Sequence, residues 1–207
     1  LDLVTGGSSE VGVHLGNGDG TFQTRGTYNT NGSGVRDLVF ADTNGDTHLD
    51  VITANHFGDN VSILRGNGNG SLQAPLTYAV GDGPMAVMLQ ELTGDSLPDL
   101  LTIYYFSRTF SILPGTGGGA FGAATSQPGL VNMHSLNKGD FNLDGKVDIV
   151  VSSDSGARFY TPNASGTLVE FLALQNTVNK AVVVSDLNQD GRDDVLWSNF
   201  FNTRVDV

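Results

Sequence analysis

One acidic pattern, nine residues long, recurs four times along the chain at nearly constant spacing, and it constrains the fold more than any other feature. It reads Asp42-Thr-Asn44-Gly-Asp46-Thr-His-Leu-Asp50, then Glu91-Leu-Thr93-Gly-Asp95-Ser-Leu-Pro-Asp99. The later copies are Asp140-Phe-Asn142-Leu-Asp144-Gly-Lys-Val-Asp148 and Asp186-Leu-Asn188-Gln-Asp190-Gly-Arg-Asp-Asp194. The steps between first positions are 49, 49 and 46 residues. A second motif keeps the same beat: Gly16-Asn-Gly-Asp-Gly20-Thr-Phe22, Gly66-Asn-Gly-Asn-Gly70-Ser-Leu72, Gly115-Thr-Gly-Gly-Gly119-Ala-Phe121, and a worn copy from Pro162 to Leu168. Two motifs in fixed phase mark an internal repeat whose units bury their apolar faces against one another.

Between the motifs lie short runs rich in β-branched and apolar residues, bounded by Gly, Asn or Asp. In the second repeat they predict strands at Val35 to Ala41, Leu49 to Ala54, Asn60 to Arg65 and Leu72 to Tyr78. Runs such as Asp148-Ile-Val-Val151 and Ala181-Val-Val-Val184 are continuously apolar, as expected of strands covered on both faces. Four strands in a repeat of this length predict an all-β propeller of four-stranded antiparallel blades. A β-sandwich is the rival fold, but it has no need of two motifs in constant phase.

Aligning the repeats predicts one propeller domain over residues 1–207, with blades at 35–83, 84–131 and 132–179 and partial blades at 1–34 and 180–207. Asp2 aligns with Asp50, Asp99, Asp148 and Asp194, so the chain is expected to start after an inner strand and to stop at a third one. The remaining blades are then expected from further chain or from self-association, because open blade faces and strand edges invite aggregation.

Composition agrees and narrows the partners. The 28 glycines suit tight turns, since glycine inside helices costs about 1 kcal/mol each. A net charge of −12 with only 10 Lys and Arg gives no basic footprint for nucleic acid. The chain has no cysteine, so neither disulfides nor thiolate chemistry enters. No apolar run is long enough to span a membrane, and no leader-like segment opens the sequence.

The acidic loops point to a cation. Calcium takes six to eight oxygens, and a loop with inward-turning side chains at alternate positions supplies them. Asp42, Asn44, Asp46 and Asp50 form one such set, Asp140, Asn142, Asp144 and Asp148 a second, and Asp186, Asn188, Asp190 and Asp194 a third. A backbone carbonyl at position seven and a glycine at position six complete the pattern; Gly145 and Gly191 fill that place, whereas the first loop carries Thr47. The loop of Glu91, Thr93, Asp95 and Asp99 departs from the pattern and is expected to bind weakly or not at all. The alternative is turn chemistry alone, since Asp, Asn and Gly also form local side-chain to backbone bonds. Yet 13 of the 22 acidic residues stand at these positions, counting Asp2, and clustered carboxylates repel one another unless a cation sits among them.

With its Asp-x-Asn-x-Asp-Gly-x-x-Asp loops and Gly-Asn-Gly-Asp-Gly-Thr-Phe turns, essentially the whole chain resembles the FG-GAP or VCBS repeats of bacterial surface proteins. Their blades are similar to those of the integrin α-subunit propeller. The resemblance implies Ca2+ on the face that carries the loops, seven or eight blades in a full ring, and an extracellular or cell-surface location. Related propellers include fungal lectins and some polysaccharide lyases.

In such a blade the acidic loops and glycine turns share one face. The opposite face is expected to carry His56-Phe57, Tyr104-Tyr105-Phe106, Asp154-Ser155 and Phe200-Phe201 after the second strands. Aromatic pairs at loop tips are unusual. They either pack between blades or offer stacking surfaces to a glycan or protein ligand. Enzyme signatures are poor: His14, His48, His56 and His134 are scattered, and Asp37, Asp82, Glu170 and Asp206 are the carboxylates left over. The sequence therefore favours a calcium-stabilised binding or adhesion module, with part of a polysaccharide-active enzyme or a structural spacer as alternatives.

Overall fold

The computed structural model describes residues 1–163, 165–175, 179–199 and 205–206. These contain no helix. The first sheet holds β1 (Leu3–Gly6), β2 (Glu10–His14) and β3 (Gly26–Asn29). The second holds β4 (Val35–Ala41), β5 (Asp50–Asn55), β6 (Asn60–Leu64) and β7 (Leu76–Ala79). The third holds β8 (Pro84–Gln90), β9 (Asp99–Tyr104), β10 (Thr109–Leu113) and β13 (Thr125–Pro128), with a small hairpin of β11 (Gly115–Gly117) and β12 (Ala120–Phe121) before β13. The fourth holds β14 (Met133–Gly139), β15 (Asp148–Ser153), β16 (Gly156–Pro162) and β17 (Leu168–Gln175); β18 (Asn179–Ser185), β19 (Asp194–Asn199) and β20 (Val205–Asp206) make the fifth.

Each sheet is an antiparallel meander, which is the up-and-down blade of a propeller. The first strands of successive blades lie side by side, β4 by β8, β8 by β14 and β14 by β18. In the three middle blades the second strands, β5, β9 and β15, are buried along their whole length. Leu100 of β9 packs toward the second blade with Ile52, Ile63 and Leu113, while its neighbour Leu101 packs toward the fourth with Met133, Ile149 and Tyr160. That two-sided burial explains the unbroken apolar runs. Fully burying a Leu or Ile contributes about 1.5–3 kcal/mol, so these shared cores are what stack the blades.

Two departures from the strand expectations are informative. The fourth strand of the second blade starts at Leu76 rather than Leu72. Pro75, which lacks an N–H, interrupts the run, and Leu72 instead bridges Gly66 within the glycine turn. Each inner strand also carries a bulge near its start, at Arg36, Met85 and His134. Just beyond it, Asp37 accepts the Val87 N–H of the next blade at 3.0 Å, and the Ser135 hydroxyl accepts the Val182 N–H at 3.5 Å.

Candidate functional site

The acidic loops stand between the first and second strands of each blade, and the side chains of each loop hold its own backbone. In the loop from Asp140, that residue accepts the N–H groups of Asp144 and Gly145, Asn142 accepts Asp144 N–H, and Asp144 accepts Lys146 N–H. The loop from Asp186 repeats the set through Asp190, Gly191 and Arg192. In the loop from Asp42, the carboxylate gathers the N–H groups of Asn44, Gly45, Asp46 and Thr47. In all three, the Asn at position three donates its Nδ2 to the carboxylate at position five, at 2.9, 3.3 and 3.2 Å.

The loop from Glu91 lacks this web. Among the described residues, Glu91 reaches only Gly94 N–H, and Asp95 only Leu97 N–H.

Electrostatics follow the hydrogen bonds. Partial desolvation raises the Asp42 carboxyl, but the N–H groups of Thr47, Gly45, Asn44 and Asp46 outweigh it and hold the group below the usual carboxylate value. The His48 N–H and the Asn44 side chain do the same for Asp46. Asp148 is pushed upward by desolvation.

Backbone conformation shows two left-handed positions per loop where the sequence marked one. Position four is Gly45, Gly94, Leu143 or Gln189; position six is Thr47, Ser96, Gly145 or Gly191; all have positive φ. Each loop therefore places glycine at one of the two and a strained residue at the other.

Position nine behaves differently from the rest. Asp50, Asp99 and Asp148 are fully buried at the start of their strands. Asp50 accepts Thr43 N–H and the Thr43 hydroxyl on one oxygen and Gly66 N–H on the other. Asp99 likewise takes Leu92 and Thr93 N–H groups and Gly115 N–H, and Asp2 takes Gly16 N–H. Asp148 binds Phe141 and Asn142 N–H groups, and Asp194 binds Leu187 N–H. The structure thus gathers positions one, three and five of each full loop, and ties position nine mainly to backbone N–H groups, with the Asn142 carboxamide also donating to Asp148 at 3.4 Å.

Among the described residues no three His, Asp or Glu side chains converge as a metal site. The oxygen chemistry of the full loops still suits a hard cation. Asp140 and Asp186 each accept two N–H bonds out of about four lone-pair sites, and the carboxamide beside them adds a neutral oxygen.

On the opposite face, His56, Phe57, Tyr105, Phe106 and His134 form a continuous row across three blades. His56 lies 4.9 Å from Phe57 and 5.3 Å from Phe106, and Tyr105 lies 5.2 Å from Phe106 and 5.7 Å from His134, between ring centroids. His56 is buried, with Nδ1 unpartnered among the described residues, and Tyr104 is buried as the last residue of β9. Phe57 and Phe106 are 68% and 64% exposed. Beneath each ring runs a glycine in the left-handed conformation, Gly34 under Phe57 and Gly83 under Phe106. In the fourth blade Asn132 replaces that glycine and binds Asp154, which also holds His134 at 2.7 Å. The sequence alone did not reveal this His–Asp pair. Phe200 and Phe201 lie outside the described residues.

No curated protein matches the sequence. Solved structures do match it. A lectin of Agrocybe aegerita that specifically recognises non-reducing terminal N-acetylglucosamine is similar at 22% identity and a TM-score of 0.61, over 95% of this chain and 56% of that one. A putative 6-phosphogluconolactonase of Bacteroides uniformis is similar at 11% identity and a TM-score of 0.61, over 96% of this chain and 63% of the other. A Lactobacillus plantarum protein follows at 16% identity and a TM-score of 0.58, over 97% and 64%. The chain thus spans less than two thirds of each, and at these identities the likeness is one of fold. No helix among the described residues is long and apolar enough to cross a membrane. The FG-GAP-like repeat description matches residues 1–53, 42–102 and 140–197, the segments that carry the acidic loops and the strands around them, and the chain belongs to that family of repeats.

Proposed function

We propose that this chain is a calcium-stabilised binding module that acts outside the cell and presents its aromatic face to a glycan or protein ligand. The observation that carries this reading is the row from Phe57 to Tyr105. Two phenyl rings are held more than half exposed over glycine backbones, where a polar tip would be normal. Ring faces of this kind suit the C–H face of a sugar or an apolar protein patch. Likeness of fold to a lectin supports the reading without identifying a ligand.

Calcium would be held by Asp42, Asn44 and Asp46, by Asp140, Asn142 and Asp144, and by Asp186, Asn188 and Asp190, with the carbonyl at position seven beside them. Bound there, it would neutralise the clustered carboxylates and fix the loops. Asp50, Asp148 and Asp194 would order those loops from the strand below. The acidic face is then the stabilised side of the module and the aromatic face the working side.

A glycan array probed with the protein in calcium buffer, in parallel with the Phe57→Ala/Phe106→Ala double variant, tests the proposal. Binding by the parent that the double variant loses supports it. Turnover of uronic-acid polysaccharides by the same protein would overturn it in favour of an enzyme.

A further inference from the structure

On the acidic face the junctions between neighbouring blades differ. Between the second and third blades, Arg65 donates from its guanidinium to the Gly118 carbonyl at 2.6 Å, and Gly119 lies tight against Thr43 and Asn44. Between the fourth and fifth, the Asp193 carboxylate accepts Asp140 N–H at 3.1 Å and lies tight against Gly139. At the junction between the third and fourth blades, Pro114 stands in the place of Arg65, one repeat on, and Val147 in the place of Asp193, one repeat back. Neither can form its strap. That junction is bridged in another way, Gln127 donating to the Gly166 carbonyl at 3.3 Å and accepting the Leu168 N–H at 2.9 Å, and beside the bridge it leaves a cleft of about 410 Å³.

The lining of this cleft is mixed in a way that points to a ligand. Leu92, Val147 and Pro162 give it apolar walls. Glu91 spends one oxygen on Gly94 N–H and keeps the other. Across from it stands Lys146, whose ammonium is in no ion pair among the described residues. Asn163 turns its carbonyl oxygen to Ser165 and Thr167, and among the described residues its Nδ2 donors have no partner and are left for the cleft. Gln90 is steadied by the Lys138 ammonium at 2.7 Å.

From this arrangement we infer that the cleft between Glu91 and Lys146 is a second binding site, for a neutral polyhydroxylated ligand of about the size of one or two pyranose rings. Pockets of roughly 300–1,000 Å³ with apolar walls and a few convergent polar groups are the ordinary form of a small-ligand site. A sugar hydroxyl can donate to the free Glu91 oxygen while a neighbouring hydroxyl accepts from Lys146 or Asn163, and the ring's C–H face rests on Pro162 and Val147. The two opposite charges favour a neutral ligand over an anion or a cation. On this inference, the departures of the Glu91 loop from the acidic pattern mark a change of use: its first residue has left the metal web for the cleft. The inference rests on the binding-module reading but concerns the opposite face.

The test is a titration of the ¹⁵N-labelled chain with methyl glycosides of glucose, galactose, mannose and N-acetylglucosamine, followed by amide chemical shifts. At least one glycoside should perturb Glu91, Lys146 and Asn163 together. Lys146→Ala should weaken it about tenfold, as expected for one charge-assisted hydrogen bond. Val147→Asp, which supplies the Asp193-type strap, should abolish it while keeping the amide dispersion of a folded chain. The inference is overturned if no glycoside shifts these amides, or if both variants bind as the parent does. Shifts confined to Phe57, Tyr105 and Phe106 would also overturn it, while leaving the proposed function standing.

Discussion

The carboxylate of Asp50 accepts the Gly66 N–H at 2.9 Å, and through that bond the acidic loop and the glycine turn of one blade become a single unit. Asp99 and Gly115 repeat the bond at 2.8 Å, and Asp2 and Gly16 at 2.9 Å. The constant phase of the two sequence motifs has its physical cause here. Because Asp50 is fully buried, Asp50→Ala strands the N–H groups of Gly66 and Thr43 without acceptors. The expected loss is about 3 kcal/mol or more, measured by urea unfolding with and without chelator. Asp46→Ala, on an exposed residue of the same loop, should change stability little when chelator is present.

Much of the architecture was legible because repetition amplifies weak local signals. The β9 run Asp99 to Tyr104 reads as a two-sided strand from its residues alone, and the structure buries all of it. Side-chain direction was less legible. Nothing local distinguishes Asp46, which faces its own loop, from Asp50, which faces a turn sixteen residues ahead. The second left-handed position was also hidden, because Leu143 and Gln189 carry no glycine to announce it. Tyr104 and Phe106 are two residues apart, yet one ends a buried strand and the other caps a turn. That difference comes from the neighbouring blade, as does the cleft beside Glu91.

Thr47 occupies a left-handed position at φ 70°, which a β-branched residue adopts only under strain. Thr47→Gly relieves that strain but loosens the unfolded chain, so the expected net gain is about 0.5–1 kcal/mol. The midpoint of urea unfolding should rise without a change in slope. A loss of stability would show that the Thr47 side chain holds the loop in some other way.

The loop webs predict unequal responses to calcium. Each occupied loop should add about 2.7 kcal/mol when calcium exceeds its dissociation constant by about a hundredfold. Asp144→Asn and Asp190→Asn should each remove one such increment, seen as a smaller rise in melting temperature on adding calcium. Glu91→Gln should leave the rise unchanged. An equal loss in all three variants would count against the distinction drawn between the loops.

Burial raises the Asp37 carboxyl above its ordinary value of 3.8, against the pull of the Val87 and Leu38 N–H groups. A raised folded-state value means that Asp37 favours the fold in its protonated form. Its contribution is complete below the ordinary value and is lost as pH rises through the folded one. Asp37→Asn keeps an oxygen for the Val87 N–H and abolishes the titration. The variant should therefore melt higher than the parent at neutral pH, and the gap should close as pH falls toward 3.8. A gap that widens on acidification would reverse the assignment.

Phe57 and Phe106 serve two masters, and substitution separates them. Each ring covers a left-handed glycine, Gly34 or Gly83, so part of its role is to seal the turn before an inner strand. Each also leaves most of its area in water. Truncation to alanine should thus cost only about 1 kcal/mol apiece, well below the 3–5 kcal/mol of a buried phenylalanine. Their ring contacts with His56 couple the two blades, so the double variant should fall short of additivity by a few tenths of a kcal/mol. If the rings existed only to pack, conservative Phe57→Leu and Phe106→Leu would preserve every property of the chain. If they stack on a ligand, both leucine variants should keep the parent's melting temperature and still lose binding on the array, because a branched alkyl group fills the space but offers no flat face.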